Sequence, residues 1–261
     1  MSAHGRTLEV RDLTLRFGGI MAINGVSFTA HASELLAVVG PNGAGKTAML
    51  NCINGIYRPT SGRILLDGAD ITGTPVRKMA SIGVSRAFQH AELFPHLTVI
   101  ENLLVGRHPR MRAGILSGGI YLGLARREEL TQRRVVEDVV DFFELYRYRN
   151  DPVAGLPYGV QKLVGVARAL AAEPSVLLLD EPCTGLIREE RENLARFLLR
   201  IHYETGPTII WVEHDMQMVS DLADRVIVLN YGVKVTEGPP DTVRANADVV
   251  AAYLGKAVAT A

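Results

Sequence analysis

The sequence predicts an α/β protein: a mostly parallel sheet covered by helices, with a helical segment inserted into it. Three observations carry this expectation. Short apolar runs alternate with helical patterns at both ends of the chain. The segment Gly40-Pro41-Asn42-Gly43-Ala44-Gly45-Lys46-Thr47 joins one such run to a helix pattern. The middle, about residues 88–167, carries helix patterns in place of strand patterns.

Taken in order, Thr7–Phe17 alternates through Leu8, Val10, Leu13, Leu15 and Phe17 and reads as a strand, as does Asn24–Ala30. Glu34–Val39 is a buried strand and Ala48–Ile53 a helix. Pro59-Thr60-Ser61-Gly62 is a turn leading into a strand at Arg63–Leu66, and Ile82–Phe88 is a further core strand. Thr98–Gly106, Glu128–Leu145 and Gly159–Ala172 have helical spacing. Arg107–Arg127 has little periodicity and reads as an insertion. Strands then return at Val176–Leu179, Thr208–Val212, Arg225–Leu229 and Val233–Glu237. Helices are expected at Arg188–Tyr203, Met216–Leu222 and Asp241–Leu254.

Composition narrows the function. Lys plus Arg and Asp plus Glu both number 28 in 261 residues, so the surface is not built mainly for nucleic acid or anionic lipid. The two cysteines, Cys52 and Cys183, lack metal-ligand spacing and read as reduced, buried residues. No apolar run approaches the ~20 residues that span a bilayer, and the first ten residues lack a signal-peptide core. A cytoplasmic protein is expected, reaching any membrane through a partner.

Residues 40–47 fit G-x-x-x-x-G-K-T, the phosphate-binding loop. A strand turning through glycines into a helix aims backbone N–H groups at one point, where the helix end adds about half a positive charge. Lys46 can reach terminal phosphates and the Thr47 hydroxyl can ligate Mg²⁺. The run Val176–Leu179 ends in Asp180-Glu181, at the strand end where parallel sheets bind ligands. Asp180 can hold Mg²⁺ and Glu181 can polarise an attacking water. Gln89 and His214 end two other core strands: Gln89 suits the metal, His214 the γ-phosphate.

Leu156-Pro157-Tyr158-Gly159-Val160-Gln161-Lys162 precedes a helix containing Ala167-Arg168-Ala169-Leu170, about twenty residues ahead of Asp180. With this segment, the order of phosphate loop, Gln89, Asp180-Glu181 and His214 resembles an ABC-transporter ATPase domain over nearly the whole chain. It looks closest to the ATPase subunits of bacterial branched-chain amino acid importers. Arg16-Phe17-Gly18-Gly19, Phe88-Gln89-His90, Leu93-Phe94, Leu97-Thr98-Val99-Ile100-Glu101-Asn102-Leu103-Leu104, Glu213-His214-Asp215-Met216 and Ala252-Tyr253-Leu254-Gly255 favour that subfamily.

The resemblance implies a P-loop NTPase (RecA-like) core with N-terminal antiparallel strands and an inserted α-helical subdomain. The core would cover about 1–87 and 168–240, the helical subdomain about 88–167, and a helical tail about 241–261. It implies ATP and Mg²⁺ as cofactors. Asn42, Gly43, Ala44, Gly45, Lys46, Thr47 and Ala48 would hold the phosphates, and Phe17 would stack on adenine, a contact type worth about 1–3 kcal/mol. Thr47, Gln89 and Asp180 would hold the metal, with Glu181, His214, Lys46 and Gln89 catalytic. Two such domains would pair head to tail, so that Tyr158 and Gly159 face the partner's ATP.

It further implies two integral-membrane permease subunits docked near His90–Thr98, an extracytoplasmic binding protein, and a location on the inner face of the cell membrane. Leu116-Ser117-Gly118-Gly119 spells the family's usual signature, but it lies in the irregular insertion without the following helix, and Tyr158-Gly159 is preferred.

Four residues depart from the family pattern. Pro157 replaces a Ser, Val160 a polar residue, Ile187 an Asp, and Ala48 a second Ser or Thr. Each lost hydrogen bond to a charged group is worth about 1.5–3 kcal/mol. The half-site lent to the partner is weakened most, so a paralogous ATPase partner is expected, with a homodimer as the alternative. The alternatives to transport are a non-hydrolysing regulatory subunit and an ATPase acting on nucleic acid or ribosomes. Leading cargo is branched-chain amino acids, ahead of other amino acids, urea or short amides.

Overall fold

A computed structural model describes residues 4–87, 93–110 and 124–249. Gln89 with its neighbours Phe88 and His90, the Leu116–Gly119 segment and Ala252–Gly255 lie outside the described residues.

Two sheets form the core. β1 (Leu8–Phe17), β2 (Ile20–Ala30), β4 (Ser61–Leu66) and β5 (Ala69–Asp70) make an antiparallel sheet in the order β2-β1-β4-β5. β3 (Leu35–Val39), β6 (Val84–Ala87), β7 (Val176–Asp180), β8 (Thr208–Val212), β9 (Arg225–Asn230) and β10 (Val233–Gly238) make the second, in the order β10-β9-β3-β8-β7-β6. Its strands are parallel except β10, which runs antiparallel to β9 at the edge. The sequence expectation of a mostly parallel sheet and antiparallel N-terminal strands therefore holds.

The apolar runs of β3, β7 and β8 are buried on both faces, as central parallel strands must be. Leu35, Ala37 and Val39 face one core, with Leu177, Leu179 and Trp211. That core is closed by α3 (Val99–Arg107), α4 (Leu124–Phe142), α5 (Tyr158–Ala171) and α6 (Arg188–Arg200). Leu36 and Val38 face the other, with Leu178 and Ile210, where α1 (Lys46–Ile53) and the antiparallel sheet cover them. Helices α2 (Val76–Met79), α7 (Met216–Leu222) and α8 (Pro240–Arg244) are short. Among the described residues no helix is long and apolar enough to cross a membrane.

Several expected boundaries shift. β2 begins at Ile20 rather than Asn24, because Gly18 at φ +55 lets the chain turn straight back from Phe17 to pair with Ile20. The helix expected over Arg188–Tyr203 is α-helical to Arg200 and then widens into one π-turn, Ile201–Thr205, ended by Gly206 at φ +70. The helix expected over Asp241–Leu254 is broken. α8 stops at Arg244, and the Asn246 carboxamide accepts from the N–H groups of Asp248 and Val249, starting a separate turn. The short β5 and α2 carried no readable period. Both cysteines are buried and free, and burial pushes the Cys52 thiol up to about 12.

Since Leu36 lies fully buried in β3, in the core covered by α1 and the antiparallel sheet, Leu36→Ala should lower the unfolding free energy by about 2–5 kcal/mol in urea titrations. A loss below 1 kcal/mol, roughly the scale of a single deleted methylene, would mean that β3 is not the packing centre described.

Candidate functional site

The site begins where β3 gives way to α1. Gly45 precedes the helix at φ +99, and a Cβ there would lie 2.6 Å from the Ala22 carbonyl oxygen. Gly40, at φ +150, is packed against the Leu229 carbonyl, where a Cβ would overlap that oxygen. The turn after β9 closes the loop from outside: the Gly232 N–H donates to Ala44 O at 3.0 Å, and Gly232 O accepts from the Asn24 N–H at 2.8 Å. Asn42 through Ala48 line a cavity of about 520 Å³ together with Ile20, Met21, Ala22 and Glu181. The expected phosphate-loop residues thus share one concavity. Lys46 is buried there, donating to Gly40 O at 2.7 Å and Pro41 O at 3.3 Å, with its ammonium 4.0 Å from Glu181 Oε1.

Phe17 stands half exposed at the end of β1, its ring edge-on to Tyr57 at 5.1 Å. It pairs with Ile20, which lines the cavity. Ile20 and Met21, large and exposed, are cavity residues that sequence reasoning missed. They open β2, ahead of the strand expected from Asn24.

Parallel register brings the strand ends together. Asp180 pairs with Val212, and Val38 with the same residue. The Thr47 hydroxyl lies 3.2 Å from Asp180 Oδ1. Two hard oxygens side by side fit Mg²⁺, which is held by one or two protein groups plus substrate phosphates. Among the described residues no cluster of three His, Cys, Asp or Glu forms an all-protein metal cage. Asp180 Oδ2 is engaged from the other side by Arg86 Nη2 at 2.6 Å, and Arg86 Nη1 donates to Asn51 Oδ1 at 2.5 Å. Arg86 was not foreseen. The available signal was a guanidinium inside a four-residue core strand, which is rare unless paired.

Glu181 follows β7 at φ +44, a left-handed conformation that non-glycine residues seldom adopt. Its N–H donates to Val212 O at 3.0 Å, and Thr184 Oγ1 lies 3.3 Å from its Oε2. His214 is more than half exposed and does not line the loop cavity. Its Nδ1 lies 3.0 Å from Glu213 Oε1, which also accepts the His214 backbone N–H. Glu213 is completely buried, a further site residue not foreseen in the sequence. Burial pushes its carboxyl above the usual range, the His214 contacts oppose this, and the charge of Glu181 adds to the rise.

Tyr158 and Gly159 lie apart from the cavity, at the start of α5. Pro157 precedes the helix without a side-chain cap. A Cβ on Gly159 would lie 2.5 Å from Glu190 Cδ, so this glycine also serves close packing. Glu190 in turn accepts the N–H of Ile187, which stands exposed ahead of α6. Val76, Met79, Val105 and Arg168 border a separate groove of about 390 Å³ between α2, α3 and α5, floored by Ser85 and Arg86.

Comparison with known proteins gives a consistent answer. Residues 23–184 match the ABC transporter family model, and residues 233–259 match that of the branched-chain amino acid ATP-binding cassette transporter. The chain is 38% identical over 250 residues to the high-affinity branched-chain amino acid transport ATP-binding protein BraF of Pseudomonas aeruginosa, covering 96% of this chain and 98% of that one. The same figures hold for LivG of Escherichia coli. Among solved structures, the ADP conformation of MJ1267, an ATP-binding cassette of an ABC transporter, superposes with a TM-score of 0.82 at 26% identity, covering 96% of this chain and 99% of that one. A dimeric post-hydrolysis state of the cassette MJ0796 bound to ADP and Pi gives 0.74 at 26% identity, over 89% and 98%.

Two outcomes test this geometry. Gly45→Ala adds a methyl against Ala22 O in a left-handed backbone and should weaken nucleotide binding at least tenfold, an effect of about 1.4 kcal/mol or more; unchanged affinity in a fluorescence titration would disprove the close approach. Glu213 holds its proton longer folded than unfolded, so its stabilising share is full at low pH and is lost as pH rises through its raised folded value. Glu213→Gln should therefore gain stability relative to the parent on going from pH 5 to pH 8, read from thermal melts, and a pH-independent difference would refute the buried-carboxyl account.

Proposed function

The chain belongs to the ATP-binding subunits of ABC transporters, and from that premise we propose that it powers an importer of branched-chain amino acids or closely related solutes. It is an ATPase subunit that binds nucleotide, dimerises with a second ATPase domain and works with membrane permeases. The observation that carries the proposal is the meeting of Lys46, Thr47, Asp180 and Glu181 at the carboxyl ends of the parallel strands, in a chain similar to BraF and LivG over 96% of its length.

In this reading Asn42 to Ala48 hold the phosphates, Phe17 stacks on adenine beside Ile20, and Lys46 turns from the loop carbonyls to the terminal phosphates. Thr47, Asp180 and Gln89 would hold Mg²⁺, which when bound neutralises phosphate charge. Glu181 accepts a proton from the attacking water. His214, anchored by Glu213, swings to the γ-phosphate on dimer closure. Its exposure, away from the loop cavity, supports a residue that joins the site only then.

Tyr158 and Gly159 face the partner's ATP from the start of α5, whose aligned N–H groups favour an anion. Pro157 brings no hydroxyl, and exposed Ile187 no polar group, to that contact. This supports a paralogous partner with a fuller signature. The permease segment docks beside Gln89, near His90–Thr98, and the helical region of about 88–167 is the lever that closure moves. Through those permeases the protein sits on the inner face of the membrane, and the binding protein acts only indirectly.

Glu181→Gln should bind ATP with parental affinity while phosphate release by the assembled transporter falls about 10²–10⁴-fold; near-normal release would remove Glu181 from the role and favour a regulatory subunit. Should the purified chain alone hydrolyse ATP cooperatively at the full transporter rate, the unlike-partner reading fails.

A further inference from the structure

We propose that Arg86 is a positioning residue that limits Asp180 to one-oxygen metal ligation and so sets the cation preference of the nucleotide site. This rests on the nucleotide reading above. Arg86 lies on β6 with its side chain 4% exposed, facing an Asp180 side chain that is 1% exposed. Burying a guanidinium is costly unless its charge is paired and hydrogen-bonded. Here Nη2 meets Asp180 Oδ2 at 2.6 Å and Nη1 meets Asn51 Oδ1 at 2.5 Å, so one planar fork ties the end of β7 to α1. A lysine could supply the charge but not both directed bonds.

The consequence falls on the other oxygen. With Oδ2 taken by Arg86, Oδ1 is the atom beside the Thr47 hydroxyl, at 3.2 Å. A carboxylate held in this way offers an incoming cation one oxygen and resists rotating to offer two. Mg²⁺ suits such single ligands in a tight octahedron. Ca²⁺ takes six to eight oxygens and readily uses both of a carboxylate. Arg86 therefore favours the smaller ion through geometry, with Asn51 fixing the plane of the fork.

The test uses the full-length chain and a fluorescent ATP analogue, titrated in EDTA, in Mg²⁺ and in Ca²⁺, with Mn²⁺ binding followed by electron paramagnetic resonance. Arg86→Met should reduce the Mg²⁺-over-Ca²⁺ preference by about tenfold, the scale of one charged hydrogen bond, while affinity in EDTA stays near parental. Arg86→Lys should fall between. Asn51→Ala, which leaves no buried charge unpaired, should shift the ratio in the same direction and broaden the Mn²⁺ signal; it decides the matter if Arg86→Met does not fold. A parental ratio in the folded variants overturns the proposal, as does an equal loss of affinity with and without cation, which a merely structural pair would give. Failure of the parent chain to bind the analogue under any condition would instead overturn the nucleotide reading itself, and this proposal with it.

Discussion

The close approach of backbone to backbone around the phosphate loop is the constraint on which the rest depends. Gly45 rests on the Ala22 carbonyl, Gly40 on Leu229, and Gly232 bonds to both Ala44 and Asn24. These contacts involve main chain from β2, β3, β9 and the turn before β10. They hold the loop as a ring of backbone, which the Lys46 ammonium also bonds at Gly40 O and Pro41 O. Any Cβ at Gly40 or Gly45 would break the ring, so the two glycines are geometric requirements rather than flexible links.

From that ring outward, the parallel register does the assembly. Because β3, β7 and β8 end in step, Lys46, Asp180 and Glu181 come within reach of one another, although more than a hundred residues separate the loop from the acids. The apolar faces of the same strands explain why the ends cannot drift. Alternate residues enter two different cores, one closed by helices and one by the antiparallel sheet. Sliding a strand by one residue would exchange those faces. Glu181 then departs from the strand in a left-handed backbone, strain that the Val212 carbonyl and Thr184 hold in place at the point of chemistry.

Much of this was legible before the structure. The buried strands announced themselves as apolar runs, and the loop, Asp180 and Glu181 by spacing that chemistry demands. What was not legible has physical reasons. Ile20 and Met21 were missed because a two-glycine hairpin has no period of its own. The break after Arg244 was hidden by helical spacing on both sides, and only the Asn246 side chain reveals it. Arg86 and Glu213 escaped because pairing partners for a buried charge lie far away in sequence or on an adjacent backbone N–H. His214 follows the end of its strand as read, with its side chain exposed and its Nδ1 beside Glu213 rather than lining the loop cavity. Gln89 lies outside the described residues, so its part in the site stays a proposal.

Phosphate release by this chain, alone and assembled with its permeases in lipid, tests the central claim that the site is half of a motor. The account predicts slow release by the isolated chain, a rise on assembly, and a further rise when the binding protein delivers a branched-chain amino acid. Equal rates in all three conditions would contradict it, leaving a nucleotide-binding domain whose chemistry is not coupled to transport.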